Sequence, residues 1–162
     1  MKRTPIRLRA PRPGDMGRVV QLHGELYARE FGYDATFEAL VAEIVAGYVR
    51  DLRPKKERCW IAEMDGEAVG SVFLVQSSPT VAKLRLLIID PRARGLGLGK
   101  RLTRVCIAFA RRTGYRKMVL WTQSHLAAAR GIYQAEGFKL VSSEKHRSFG
   151  RRLLAETWEL KL

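Results

Sequence analysis

The chain has 162 residues, 46% of them hydrophobic, and 30 Lys and Arg against 16 Asp and Glu give a formal charge of +14. That length and balance suit one globular domain with its own core and exclude a disordered chain. No apolar run reaches the roughly 20 residues of a membrane helix. The start, Met1-Lys2-Arg3-Thr4-Pro5, has no apolar stretch behind it to act as a signal peptide, and Cys59 and Cys106 match no metal-ligand spacing. The expectation is therefore a cytoplasmic protein with no metal and no membrane partner. Its excess of cations favours polyanionic partners such as nucleic acid or a phosphate-rich cofactor.

Ile6-Arg7-Leu8-Arg9 alternates apolar and basic residues and predicts a short strand. After Pro11, Pro13 and Gly14, Asp15 is placed to cap a helix running to about Glu30, with Val19, Leu22, Leu26 and Tyr27 on one face and Gly32 as its stop. Thr36 is the expected N-cap of a second helix. Phe37, Leu40, Val41, Ile44, Val45, Tyr48, Val49 and Leu52 form its stripe, and Pro54 closes it. The period then changes. Cys59–Met64 and Ala68–Gln76 predict strands on either side of an Asp65-Gly66 hairpin turn. Ser77–Thr80 turns again, and Ala82–Ile89 is apolar enough for a central strand.

A third helix follows a glycine-rich turn and buries Leu98, Leu102, Val105, Cys106 and Phe109, which makes Cys106 a core residue rather than a nucleophile. Lys117–Thr122 is a further strand, Leu126–Ala135 a fourth helix stopped by Gly137, and Phe138–Val141 and Leu153–Leu162 are two closing strands. One mixed α/β domain accounts for the whole chain, residues 1–162.

Chemistry concentrates in Asp90-Pro91-Arg92-Ala93-Arg94-Gly95-Leu96-Gly97-Leu98-Gly99-Lys100, between a buried strand and an amphipathic helix. A helix start has unsatisfied N–H groups and the positive end of the macrodipole, so it stabilises an anion. Three alternating glycines let a pyrophosphate approach the backbone, and Arg94 and Lys100 add charge-assisted bonds. A P-loop is excluded, because Arg94 stands where its first glycine belongs and Arg101 where its hydroxyl is needed. A dinucleotide fingerprint also fails: Lys100 replaces the third glycine, and no carboxylate occurs from Pro91 to Ala135.

The remaining pattern, Arg94-x-x-Gly97-x-Gly99, resembles the cofactor motif of the GNAT N-acetyltransferase family, and Ala129-Arg130-Gly131-Ile132-Tyr133-Gln134-Ala135-Glu136-Gly137-Phe138 is similar to that family's second signature. More narrowly, Glu57–Glu63, Leu120-Trp121-Thr122, Ser148-Phe149-Gly150 and Glu156–Leu160 resemble the acetyltransferase half of MarR–GNAT fusion proteins. The resemblance implies a central, mixed, mostly antiparallel sheet of about six or seven strands flanked by about four helices. It implies acetyl-CoA as cosubstrate, held by Leu87, Ile88, Ile89 and Arg94 through Lys100, and a primary amine as acceptor. A bulge in the strand before the turn would expose backbone at Leu87 and Ile89 to pantetheine, and Tyr133 would protonate the departing thiolate.

Tyr27 and Glu30 lie where acceptors enter in such proteins. The general base stays open among Glu30, His146 and Glu156. Leu126 occupies a position where many relatives carry Asn, with Gln123 or Ser124 as replacements. A homodimer is a further implication. The competing readings are a non-catalytic acetyl-CoA sensor, an enzyme acting on an RNA-linked amine, and a nucleic-acid-binding protein, which would leave both signatures unexplained.

Overall fold

The computed structural model describes residues 4–162. The first three residues, and the reading of the chain start that includes them, lie outside the described part. Seven strands form one sheet in the order β1-β2-β3-β4-β5-β7-β6. They are β1 Arg7–Arg9, β2 Arg58–Met64, β3 Glu67–Ser78, β4 Val81–Ile89, β5 Lys117–Gln123, β6 Lys139–Ser148 and β7 Arg151–Lys161. Only β4 and β5 pair in parallel, and every other neighbour is antiparallel. Four α-helices complete the fold: α1 Asp15–Phe31, α2 Ala35–Arg50, α3 Leu98–Arg112 and α4 Ala127–Ala135. This is the α+β architecture that the resemblance implies.

The helices cover both faces of the sheet. Val19 of α1 and Val41 and Val45 of α2 pack on Cys59, Ile61 and Phe73. On the opposite face Leu98, Leu102, Cys106 and Phe109 of α3 join Val72, Leu74, Leu84, Leu120 and Tyr133. Cys106 is fully buried in that layer, as its place in the helical stripe predicts. The Asp65-Gly66 turn has φ of 53° and 77°, and Phe149-Gly150 repeats the device with 58° and 76° at the β6–β7 hairpin. Paired positive φ values match the twist of the strands they join.

Two caps differ from expectation. Gly14 is the N-cap of α1, and the Asp15 carboxylate instead accepts the Arg12 N–H at 2.6 Å and pairs with Arg9. Asp34, not Thr36, caps α2, accepting the Thr36 N–H at 3.0 Å. A short carboxylate two residues before a free N–H reaches it more readily than the Thr36 side chain could reach inside its own first turn. β6 also runs seven residues beyond Val141, because exposed polar residues paired to β7 carry no apolar alternation for a sequence reading to catch.

β4 is where the sheet opens. Its parallel pairing with β5 stops at Leu84 opposite Leu120, whereas β5 stays paired to β7 as far as Gln123 opposite Ala155. On the other side Ser71 pairs with Ile88 and Phe73 with Arg85, so β4 carries an extra residue. Leu86 takes φ 52°, and its carbonyl accepts the Ser71 hydroxyl at 2.9 Å. Such a bulge bends its strand, and here the bend turns the end of β4 away from β5.

Candidate active site

The bent end of β4 leads directly into the glycine-rich turn. Asp90 is buried, and it accepts the Arg92 N–H at 2.9 Å and the Arg18 guanidinium at 3.2 Å. Burial works against its charge, but bonds from Arg92 and the charge of Arg18 still hold its carboxyl below the usual range. The anchored Asp90 fixes the single 3₁₀ turn Pro91–Ala93. Gly95 and Gly97 then take φ of 73° and 75°, values that non-glycine residues adopt only with strain. Gly97 is the N-cap of α3, which has no side-chain cap and no acidic residue in its first turn. A helix start without a cap leaves its N–H groups for an anion.

Gly99 has a different reason to be glycine. A Cβ there would lie 2.6 Å from Ile132 Cδ1 and 3.1 Å from Ile89 Cδ1. Its missing side chain lets α3 come close to α4 and the end of β4.

In front of the turn lies a cleft of about 560 Å³, floored by Leu87, Ile88 and Ile89 and closed by α1 on one side and α4 on the other. Tyr27, Glu30, Arg94, Gly95, Gly97, Leu98, Gly99 and Lys100 all line it. Leu96 does not, and its side chain is exposed. Arg94 makes a two-pronged pair with Glu30, at 2.6 and 3.2 Å, and so ties the turn to α1. Ile88 packs its side chain on Leu22 and Leu26.

A second, smaller cavity of about 150 Å³ adjoins the cleft, and the two share Tyr27, Leu87, Leu126 and Ala129. Tyr133 is 5% exposed and lines the smaller cavity. Burial first, then the neighbouring Tyr27 and Cys106, push its hydroxyl above the ordinary tyrosine range. A hydroxyl so shifted is protonated at neutral pH and is not a base there.

The three base candidates from the sequence are all engaged. Glu30 is paired with Arg94. Glu156 is buried, pairs with Arg130 at 2.7 Å and accepts the Trp158 N–H at 3.2 Å. His146 contacts Ser148 Oγ at 2.9 Å through Nδ1 and Gln123 Oε1 at 3.0 Å through Nε2. The structure adds two histidines that the sequence reading passed over. His125 lines the larger cleft, and its Nε2 meets the Tyr33 hydroxyl at 2.7 Å. His23, on the smaller cavity, donates Nδ1–H to the Val19 carbonyl at 2.8 Å, and burial lowers its pKa to about 4. The adjacency of His125 to Gln123 and Ser124 was the available signal. His23 shows only as a polar residue on the apolar stripe of α1.

Comparison with known proteins agrees with this geometry. The sequence model of the Acetyltransferase (GNAT) family matches residues 22–138, more than half of the 162-residue chain. The chain is 32% identical over 122 residues to an uncharacterized N-acetyltransferase of Schizosaccharomyces pombe, a match covering 74% of each. It is 40% identical over 85 residues to N-acetyltransferase 8B of Homo sapiens, spanning 49% of this chain but only 37% of the human one. In fold it resembles a Salmonella typhimurium structure holding acetyl-CoA as its cofactor (TM-score 0.77, 20% identity, 96% of this chain and 93% of that one). It also resembles an N-acetyltransferase of Staphylococcus aureus Mu50 (TM-score 0.79, 17% identity, 98% and 99%). Taken with the uncapped helix start and the parted strands, these matches show that the chain belongs to the GNAT acetyltransferase family.

Proposed function

We propose that the protein transfers the acetyl group of acetyl-CoA to a primary amine, by direct attack with both substrates bound. One observation carries the reading: the uncapped start of α3, behind Gly95 and Gly97, opens onto the cleft where β4 leaves β5. Donors of the first helical turn, with Lys100 and Arg94, suit the pyrophosphate. Arg94 is bound to Glu30 and would exchange a carboxylate for a phosphate. The freed backbone at Leu87 and Ile89 suits the pantetheine arm and, by an N–H, the oxyanion formed at the thioester carbon.

The amine nitrogen then bonds to the acetyl carbon and the carbon–sulfur bond breaks. The Tyr133 hydroxyl gives its proton to the sulfur, and the proton that the nitrogen sheds on becoming an amide returns through solvent to restore the hydroxyl. Thiolate is itself a fair leaving group, so the tyrosine assists the step without dominating it. The whole chain serves this one domain in our reading. The segments quoted above support a kinship, within the family, with the acetyltransferase half of MarR–GNAT fusions, and dimerisation is an expectation of the family resemblance.

The test is release of free CoA thiol from acetyl-CoA on adding amines, with Tyr133→Phe alongside. Amine-dependent release that slows in the variant supports the reading. A folded protein that binds acetyl-CoA yet releases no thiol with any primary amine would refute the transfer reaction.

A further inference from the structure

The smaller cavity reads as a receptor for an anion rather than for a cation. Lys83 and Arg85, two residues apart on β4, both line it. Alternate strand residues share a face, and this face looks toward α1 and α2, where Arg85 also borders a groove holding Glu43, Asp51 and Glu57. None of those carboxylates comes within ion-pair distance, and neither cation has a salt-bridge partner among the described residues. Both are partly buried, and burial lowers the pKa of each, with Arg85 adding to the effect on Lys83. Among the described residues no Asp or Glu lines this cavity.

A third donor stands beside them. Gln123 is 3% exposed, and its Oε1 is taken by His146 while its Nε2 is buried with no partner. A buried donor left unpaired costs about 1–3 kcal/mol, so such groups in a native fold ask for an explanation. Tyr27, Tyr33, Phe37 and Phe149 supply the opposite wall, with ring centroids of neighbouring pairs 4.4–5.3 Å apart. The cavity thus offers two cationic donors, Lys83 and Arg85, with the unpartnered Gln123 amide in its lining residue set, an aromatic wall, and no carboxylate to receive an ammonium.

We propose that the acceptor is a small apolar α-amino acid or close analogue. Its carboxylate is received by Lys83, Arg85 and the Gln123 amide, its side chain by the aromatic wall, and its amine faces the opening shared with the cofactor cleft. This rests on the acetyltransferase reading and names the acceptor class for it. The volume of about 150 Å³ suits a molecule of that size. The planar carboxylate matches the fork of Arg85 better than a point charge would. Two cations in the pocket also oppose a further positive charge, so the amine is favoured in its uncharged, nucleophilic form. That accords with Glu30, Glu156 and His146 all being engaged elsewhere.

The test is calorimetric binding of leucine and phenylalanine, each against its decarboxylated amine (isoamylamine and 2-phenylethylamine), with 2-aminoethylphosphonate as the phosphonate arm. The expected result is at least tenfold tighter binding of one of the amino acids than of its amine. Arg85→Gln or Lys83→Met should reduce that preference to threefold or less, with thermal melting reporting that each variant is folded. Equal binding of acid and amine, preference for the amines, tighter binding of the phosphonate, or no binding of either amino acid would each overturn the proposal. Acetyl-CoA binding is measured separately on the same protein. A chain that binds acetyl-CoA but shows no carboxylate preference loses this inference and keeps the transferase reading. One that binds leucine but not acetyl-CoA loses the transferase reading, and with it leucine as an acceptor, and keeps only a carboxylate-binding cavity.

Discussion

Three glycines at alternate positions do two different jobs, and substitution separates them. Gly97 has a positive φ and open space around its missing Cβ. Gly97→Ala therefore strains the backbone by roughly 1 kcal/mol and acts mainly where the cofactor's phosphates approach. Gly99→Val drives a side chain into Ile132 and Ile89, and overpacking of that kind costs about 1–3 kcal/mol. Thermal melting should show a clearly larger drop for Gly99→Val, whereas acetyl-CoA titration should show the larger defect per degree lost for Gly97→Ala. Tyr133→Phe preserves the buried ring and removes the hydroxyl proposed as proton donor, so kcat should fall about ten- to hundredfold with acetyl-CoA affinity unchanged. An unaltered kcat would leave Tyr133 a core residue that happens to border the cavity. These residues were legible in the sequence because the family signatures mark them. The packing role of Gly99 was not, since the residue that fills its space, Ile132, lies 33 positions on in the numbering.

At the scale of elements, helix α1 carries a titration as well as a wall of the site. His23 is buried with its pKa lowered to about 4, against about 6.5 when unfolded. Between those values the unfolded chain binds the extra proton, so stability rises with pH through the window and is complete above about 6.5. The shift corresponds to at most about 3 kcal/mol. Urea unfolding at pH 7 and pH 4.5 should show this loss in the parent and a smaller one in His23→Gln. Equal losses would assign the pH dependence to the carboxylates. Helix α2 depends on its true cap, and Asp34→Ala should lower stability by about 1 kcal/mol in the same assay, with Thr36→Val having less effect. The sequence located every helix and strand, because apolar periodicity is a local signal. It missed the reach of β6, whose exposed face has no such period, and both caps, which depend on where a short side chain points.

Across the whole molecule, function depends on the sheet being opened in one place. Leu86 in a left-handed conformation, the end of β4–β5 pairing at Leu84, and the anchored Asp90 act together to aim β4 at the start of α3. The resemblance placed exposed backbone at Leu87 and Ile89, but the residue that bends the strand is Leu86, and nothing in its side chain marks it. The smaller cavity was still less legible. Lys83 and Arg85 read as ordinary basic residues of a strand until α1, α2 and the β6–β7 hairpin close over them. The large positive charge is also partly spent inside the fold: Arg94, Arg104 and Arg130 of the carboxylate-free segment are each paired with a Glu outside it.

In the proposed function the parted strands and the uncapped helix start form an acetyl-CoA site. The most direct measurement is calorimetric titration of acetyl-CoA into the protein and into Gly97→Glu, with ATP and NAD as competitors. Gly97→Glu puts a negative charge where the pyrophosphate is expected, without touching the core. The expected result is one saturable site in the parent, displaced by neither nucleotide and lost in the variant while its melting remains cooperative. A folded parent that binds no acetyl-CoA, or a Gly97→Glu variant that binds it equally well, would contradict the claim.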